Sequence, residues 1–324
     1  MVLHLANHAG STLFAAASWA DVSIDYNRSG NLLVGSVDDE SVQCIPGHQS
    51  LTERREDYYY NVTGTRLIPH SQTVVSCAHD LTFQVHHWQE PQHRVYHYRV
   101  HDNPCQLVTY DGRDSTLAAT CCNDSTVYLF SVDTQGTVQA DPALLDSKSL
   151  HQRPLSDALF VKRPSARPLL ATVHEGSAKS ATGRLNVWDI ETHQNTQHFY
   201  RFPRSALCVD YHAPSDLVYV ATGVQGDGVR RKKSSHLASL YMVDLRTRVV
   251  SSRTGILDRC SNIVKVSPCG TFVAVGMESN TCWLYDARFL RRPLHRLDHD
   301  ESAGIYGAHW LSPTHLITAG SDGQ

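Results

Sequence analysis

The chain has 324 residues, of which 41% are hydrophobic and 19% charged, so it is long enough to bury a large apolar core. Its formal net charge of −3 gives no global reason to expect binding to nucleic acid or to an anionic membrane. The first residues lack a secretory signal, and the apolar residues 13–17 are far fewer than the ~20 that a membrane span needs. We therefore expect an intracellular protein, nuclear or cytoplasmic, with no membrane partner.

The predicted elements are short strands separated by Gly, Asn, Asp and Ser, residues that tolerate the backbone conformations of hairpin turns. Residues 1–20 match no full repeat, although residues 2–5 and 12–16 have strand character. Further strands are predicted, in chain order, at residues 22–26, 32–36, 41–45, 82–88, 93–100, 106–109, 117–121, 127–132, 158–162, 168–173, 184–190, 207–211, 217–222, 239–245, 263–266, 272–276, 282–286, 294–297, 305–310 and 315–319. The sequence thus predicts an all-β chain.

One strand pattern recurs along the chain. Its clearest copy is residues 183–191, GRLNVWDIE, in which apolar residues alternate around the dipeptide Trp188-Asp189. Six segments align without gaps: SVQCIPG from Ser41, TFQVHHW from Thr82, TVYLFSV from Thr126, RLNVWDI from Arg184, SLYMVDL from Ser239 and TCWLYDA from Thr281. The intervals between successive copies are 41, 44, 58, 55 and 42 residues. A period of about 40–45 residues with a Trp-Asp signature is typical of four-stranded propeller blades.

With these segments the chain resembles the WD-repeat β-propellers over essentially its whole length. The resemblance implies one domain, residues 1–324, folded as a single seven-bladed β-propeller of WD-type repeats. The repeats are expected near residues 21–57, 58–102, 103–154, 155–203, 204–258, 259–301 and 302–324, the last with part of 1–20. The next copy of the pattern would fall near residue ~327, so either N-terminal strands close the last blade or the chain is truncated. We expect residues 1–20 to supply at least one closing strand.

Two insertions explain the long intervals. Residues 174–182 and 223–236 replace tight turns with small, polar loops. Loops on a rigid scaffold are where recognition is usually placed, so these loops are candidates for partner binding.

The sequence offers no convincing catalytic, metal or cofactor site. It contains no GxSxG, HExxH or Walker motif, and no GxGxxG after a strand. Nine cysteines are spread without a CxxC pair, and those in strands, such as Cys44, Cys208 and Cys282, are expected to be small buried residues in a reducing compartment. Asp residues near turns, such as Asp80, resemble the structural polar network of the repeat, in which a His bridges to a neighbouring strand. An enzyme is a remote alternative.

A repeated Asp-x-Arg follows the aligned strand twice, as Asp244-Leu245-Arg246 and as Asp286-Ala287-Arg288. It resembles the WDxR box of propellers that serve as substrate receptors of cullin-4 RING ubiquitin ligases. In that family the Arg lies on the narrow face and contacts the adaptor of the ligase. The resemblance implies that Asp244, Arg246, Asp286 and Arg288 bind such an adaptor. The alternative is that each pair is an internal salt bridge.

Basic residues form a second candidate site. They are Arg230, Arg231, Lys232 and Lys233 in one insertion, and Arg291 and Arg292 after the last Asp-x-Arg. Such clusters can hold phosphates or an acidic peptide, but aromatic residues for base stacking do not interleave them. A localisation signal or a solvated loop is the alternative.

Together these features favour a non-catalytic protein-interaction scaffold in an intracellular multiprotein complex, with the ubiquitin-ligase substrate receptor as its sharpest form. The alternative is an RNA- or chromatin-associated propeller that binds acidic or phosphate groups through the basic residues.

Overall fold

Short antiparallel strands make up nearly all of the secondary structure in the computed structural model. The structure describes residues 2–7, 13–18, 31–45, 47–49, 59–68, 73–87, 94–98, 105–111, 116–121, 125–131, 142–146, 154–162, 168–176, 182–223, 238–254, 260–299 and 304–320. The chain divides into two compact units, residues 1–152 and 153–324, which are described separately.

The first unit contains three four-stranded antiparallel sheets, each formed by strands consecutive in sequence. The first sheet comprises β1 (Val2–Asn7), β2 (Leu13–Ser18), β3 (Leu32–Ser36) and β4 (Ser41–Cys44). The second comprises β5 (Val62–Ile68), β6 (Thr73–Ala78), β7 (Phe83–His87) and β8 (Arg94–Tyr98). The third comprises β9 (Cys105–Asp111), β10 (Thr116–Cys121), β11 (Thr126–Ser131) and β12 (Ala143–Asp146).

The second unit continues the same arrangement with three four-stranded sheets and one two-stranded sheet. The fourth sheet comprises β13 (Leu155–Val161), β14 (Leu169–His174), β15 (Gly183–Asp189) and β16 (Gln194–Phe202). The fifth comprises β17 (Ser205–His212), β18 (Leu217–Gly223), β19 (Leu240–Asp244) and β20 (Val249–Arg253). The sixth comprises β21 (Ser261–Val266), β22 (Phe272–Met277), β23 (Thr281–Asp286) and β24 (Phe289–Asp298), and the last β25 (Ile305–Trp310) and β26 (Leu316–Gly320).

Burial explains why the sequence alternates strongly in some strands and weakly in others. The second strand of a sheet is covered on both faces, and every residue of β6 and of β14 is buried. The fourth strand lies at the sheet edge, and β4 and β20 are mostly exposed. Apolar cores fill the space between consecutive sheets, for example where Phe202 and Tyr241 place their ring centroids 4.9 Å apart.

A glycine is required where β15 meets the next sheet. The N–H of Gly183 donates to the carbonyl of Arg204 at 2.7 Å. A Cβ on Gly183 would collide with the backbone of Arg204 and Ala206, so this close approach of two main chains admits no side chain.

The first sheet differs from the predicted repeat. At least one strand from residues 1–20 was expected to close the last blade, but β1 pairs with β2 and β2 with β3 in the first sheet. The segment from Ser41, aligned with the third strands of the other repeats, is the fourth strand. One reason is that β2 is alanine-rich, which gives a weak strand signal. The predicted strand at residues 22–26 lies outside the described residues, and a single closed ring of seven blades stays a prediction.

Candidate functional site

The two Asp-x-Arg turns lie at equivalent places in the fifth and sixth sheets. Asp244 ends β19 and Asp286 ends β23, so each turn follows a third strand. Since β21 packs against β17 and β18, and β24 contacts β20, the two sheets are neighbours. The turns therefore lie at the same end of adjacent sheets. We call residues 244–249 and 286–292 the arginine edge.

Both turns are fixed by the same backbone contacts. The central residues Leu245 and Ala287 are buried, and their N–H groups donate to the carbonyls of Asp216 at 3.2 Å and Thr271 at 2.8 Å. The Asp carboxylate accepts the N–H of the Arg two residues on, at 2.8 Å in the first turn and 2.9 Å in the second. The turn thus buries its middle and most of its Asp side chain, and it leaves its Arg side chain at the surface.

Each guanidinium folds back onto its own Asp through two nitrogens. In the first turn, Nε and Nη2 of Arg246 lie 3.3 and 3.2 Å from the two oxygens of Asp244. In the second, Nε and Nη2 of Arg288 lie 3.0 and 2.7 Å from those of Asp286. Hydrogen bonds from the Arg side chains lower the pKa of both carboxyls, and the carboxylates raise the pKa of both guanidinium groups.

The predicted salt bridges therefore form, yet the arginines remain accessible. The side chains of Arg246 and Arg288 are 64% and 79% exposed, and exposed ion pairs of this kind add little to stability. Among the described residues, each guanidinium hydrogen-bonds only to its own Asp, and Asp216 adds a weaker electrostatic attraction for Arg246. Each Arg is oriented by the fold and still offers donors to a partner.

A third turn of the same form occurs without an arginine. At the end of β15, Asp189 accepts the N–H groups of Glu191 at 3.0 Å and Thr192 at 3.1 Å. Ile190 is buried, and its N–H donates to the carbonyl of Pro168 at 3.3 Å. Because Glu191 stands where the other turns have Arg, the turn forms without one.

The structure describes one half of the predicted basic site and not the other. Arg291 and Arg292 are exposed on β24, within the arginine edge. Residues 230–233 lie outside the described residues. On the same strand, Arg296 lies over the ring of Trp283 at 5.7 Å and pairs with Asp298 at 2.6 Å, so these two partners already hold its guanidinium.

Sequence reasoning missed two apolar side chains of the arginine edge. Val249 pairs in register with Asp244 across β19 and β20, and Phe289 pairs with Asp286 across β23 and β24. Both are exposed. The pattern of apolar residues did not predict their exposure, because it does not reveal which strand is the edge strand of its sheet.

The predicted Asp network forms in the second sheet. His48, buried after β4, places Nδ1 2.9 Å from Oδ2 of Asp80 and Nε2 2.7 Å from the hydroxyl of Ser76. Asp80 also accepts the N–H of Thr82 at 3.0 Å. Burial raises the pKa of Asp80, but hydrogen bonds from His48 and Thr82 outweigh it, so the net pKa is lowered. The network links β4 to the next sheet and is structural.

Cysteine burial is only partly as expected. Cys208 and Cys282 are buried, and burial raises the pKa of the Cys282 thiol to about 12. Cys44 is exposed, which corrects its prediction. It lies on β4, the edge strand that nothing in the described part of the chain covers.

No metal centre or membrane helix is found in the residues that the structure describes. No three His, Cys, Asp or Glu side chains there are grouped to hold a metal ion. No helix there is long and apolar enough to cross a bilayer. At the start of the insertion after β14, burial raises the pKa of the Glu175 carboxyl to about 7.

The raised pKa of Glu175 predicts a pH-dependent stability. The folded state holds this proton more tightly, so the stabilisation is full below pH 4.5 and is lost as the pH rises through about 7. We expect the free energy of unfolding to fall by about 1–2 kcal/mol more in the wild type than in Glu175→Gln between pH 5 and 8, allowing for partial exposure. Urea unfolding at both pH values measures this, and equal pH dependence in the two proteins would contradict it.

Comparison with known proteins identifies the fold. No protein-family model matches the chain. Rik1-associated factor 1 of Schizosaccharomyces pombe is 22% identical over 320 residues, covering 92% of this chain and 48% of that protein, so the chain spans about half the length of the curated relative. A solved structure of the Dos1 propeller superposes with a TM-score of 0.81 at 19% identity, covering 99% of this chain and 79% of the other. The fold is a β-propeller.

Proposed function

We propose that the chain is a non-catalytic scaffold subunit of an intracellular multiprotein complex. In its sharpest form, it is a substrate receptor that docks onto the adaptor of a cullin-4 RING ubiquitin ligase through Arg246 and Arg288. The observation that carries the proposal is the pair of equivalent Asp-x-Arg turns, which hold two exposed guanidinium groups at the same end of adjacent sheets.

The physical argument is that these arginines are pre-organised for a partner. A guanidinium is a planar set of donors that suits carboxylates and carbonyls. Each Asp uses Nε and Nη2, which fixes the plane and lowers the conformational entropy that binding must remove. The turn at Asp189 forms with Glu191 in place of Arg, so a turn of this form does not need an arginine.

The curated relative supports a role in a complex. By its name, that protein is a factor associated with Rik1. We extend this to the present chain and propose a Rik1-type partner, bound at the arginine edge. The insertions at residues 174–182 and 223–236 connect the other ends of their strands, so we propose that loops there bind the substrate.

The double variant Arg246→Ala, Arg288→Ala tests the proposal. We expect at least about tenfold weaker binding to purified S. pombe Rik1 or to a purified cullin-4 adaptor, since arginines that contact a partner are common hot spots. The melting temperature should change by less than about 2 °C, because exposed ion pairs add little to stability.

Arg253→Ala is the matched control, since Arg253 is exposed at the far end of β20. It should bind as the wild type does. The receptor role fails if the double variant binds as tightly as the wild type, or if its melting temperature is much lower. The Asp-x-Arg pairs would then be internal salt bridges that stabilise the fold.

An alternative function is binding to RNA, chromatin or another phosphate-bearing partner through Arg291, Arg292 and residues 230–233. The observation that favours it is the exposure of Arg291 and Arg292 on β24. Such binding would weaken steeply with salt and would survive the loss of Arg246 and Arg288. These two properties separate it from adaptor docking in the same binding experiment.

A further inference from the structure

We infer that Val249 and Phe289 act as apolar anchors beside Arg246 and Arg288, so that the arginine edge takes an acidic protein surface with an apolar recess. The inference rests on the proposed docking of the same edge. It adds the apolar half of the contact and the chemistry of the partner.

The first observation is a repeated pairing of one Asp with one Arg and one exposed apolar residue. Val249 is 57% exposed and lies opposite Asp244, while Phe289 is 58% exposed and lies opposite Asp286. Each carboxylate therefore orients a guanidinium and has an apolar side chain as its cross-strand neighbour. Two adjacent sheets repeat this arrangement at the same end.

The turn at Asp189 has neither the Arg nor the apolar cross-strand neighbour. The residue opposite Asp189 is Gln194, and Glu191 stands at the Arg position. Exposed apolar residues that are scattered singly need no explanation. Here, however, the apolar residue appears in the two turns that have Arg and is replaced in the turn that has Glu, so the two features belong to one surface.

The charge of the arginine edge identifies its occupant. Residues 244–249 and 286–292 contain five arginines and two aspartates, a net charge of +3. A second copy of this surface would be repelled, whereas an acidic protein surface would be attracted. Aromatic and Arg residues together are typical of interface hot spots, where desolvation strengthens the polar contacts. The partner is therefore a protein surface with carboxylates around an apolar recess.

The test compares two double variants against the same probes, purified S. pombe Rik1 and a purified cullin-4 adaptor. Val249→Thr, Phe289→Thr keeps residues that favour strands and removes the apolar anchors. We expect at least about tenfold weaker binding, with faster dissociation and an unchanged salt dependence. Arg246→Ala, Arg288→Ala should also weaken binding but should flatten the salt dependence. Leu311→Thr is the control, because Leu311 is an exposed apolar residue elsewhere.

The outcomes separate this inference from the proposed function. If both double variants lose binding, the result supports a composite surface, in which the arginines and the apolar anchors both contact the partner. Loss with the arginine variant alone overturns the apolar anchors and leaves adaptor docking intact. Loss with the apolar variant alone overturns the arginine site and with it the composite surface. If the wild type binds neither probe, or binds only a DNA or RNA duplex in parallel assays, both proposals are overturned.

Discussion

The substitution His48→Ala is expected to lower the free energy of unfolding of the first unit by about 3 kcal/mol, because it removes the imidazole that contacts both oxygens of a largely buried carboxylate and leaves a cavity in its place. His48 is fully buried, and the side chain of Asp80 is nearly so. Nδ1 of His48 lies 2.9 Å from one oxygen of Asp80 and 3.1 Å from the other. Alanine removes this contact and also the contact between Nε2 and Ser76.

The effect should be local to the second sheet and to β4. Hydrogen exchange of the backbone amides of β6 and β7 measures it, since the chain has two units whose stabilities can differ. His295→Ala is the matched control, because His295 is exposed on β24. A loss below about 1 kcal/mol would show that Asp80 is solvated in the folded protein and would contradict a buried network.

Acid should act on the same network with a defined sign. The pKa of Asp80 in the folded protein lies below its ordinary value of 3.8. Stability from this carboxylate is therefore present above pH 3.8 and is lost as the pH falls through the lowered pKa. In His48→Ala the carboxyl keeps the hydrogen bonds from Thr82 but loses those from His48, so its pKa would lie above that in the wild type and unfolding in acid would begin at a higher pH.

The strands that the sequence predicted well are those in which apolar and polar residues alternate clearly between two turns. Asp189, Asp244 and Asp286 each lie within one residue of the end of a predicted strand, and each caps the following turn in the structure. A side chain that bonds the backbone two residues later is a local feature, so its position can be predicted from the sequence. The Asp-x-Arg turns were found because the motif follows two of the aligned strands and resembles the WDxR box.

The position of a strand within its sheet could not be predicted in the same way. Alternation gives the two faces of a strand but not its neighbours. The strand from Ser41 has the same pattern as the third strands of other sheets, yet it lies at an edge and is exposed. Leu294 and Leu297 on β24 look like core residues in the sequence and are exposed for the same reason. The exposure of Phe289 follows from this edge position, which only the structure gives.

The substitution Trp188→Ala is expected to lower the free energy of unfolding of the second unit by about 4 kcal/mol, because it leaves a large cavity in a closed core. Trp188 is buried on β15, where it pairs in register with Leu170. Its indole N–H donates to the hydroxyl of Thr172 at 3.0 Å. That hydroxyl lies 3.1 Å from Nε2 of His174, so the indole also completes a buried polar chain.

Trp188→Phe separates the two contributions of the indole. Phenylalanine keeps most of the apolar volume but has no N–H, so we expect a loss of about 1–2 kcal/mol. Urea unfolding of both variants, with the exposed Tyr306→Ala as control, measures the difference. If Trp188→Phe costs as much as Trp188→Ala, the hydrogen bond to Thr172 dominates and the core around β15 fills the cavity. The Trp-Asp dipeptide would then matter for its polar contacts on both residues, since Asp189 caps the turn that follows.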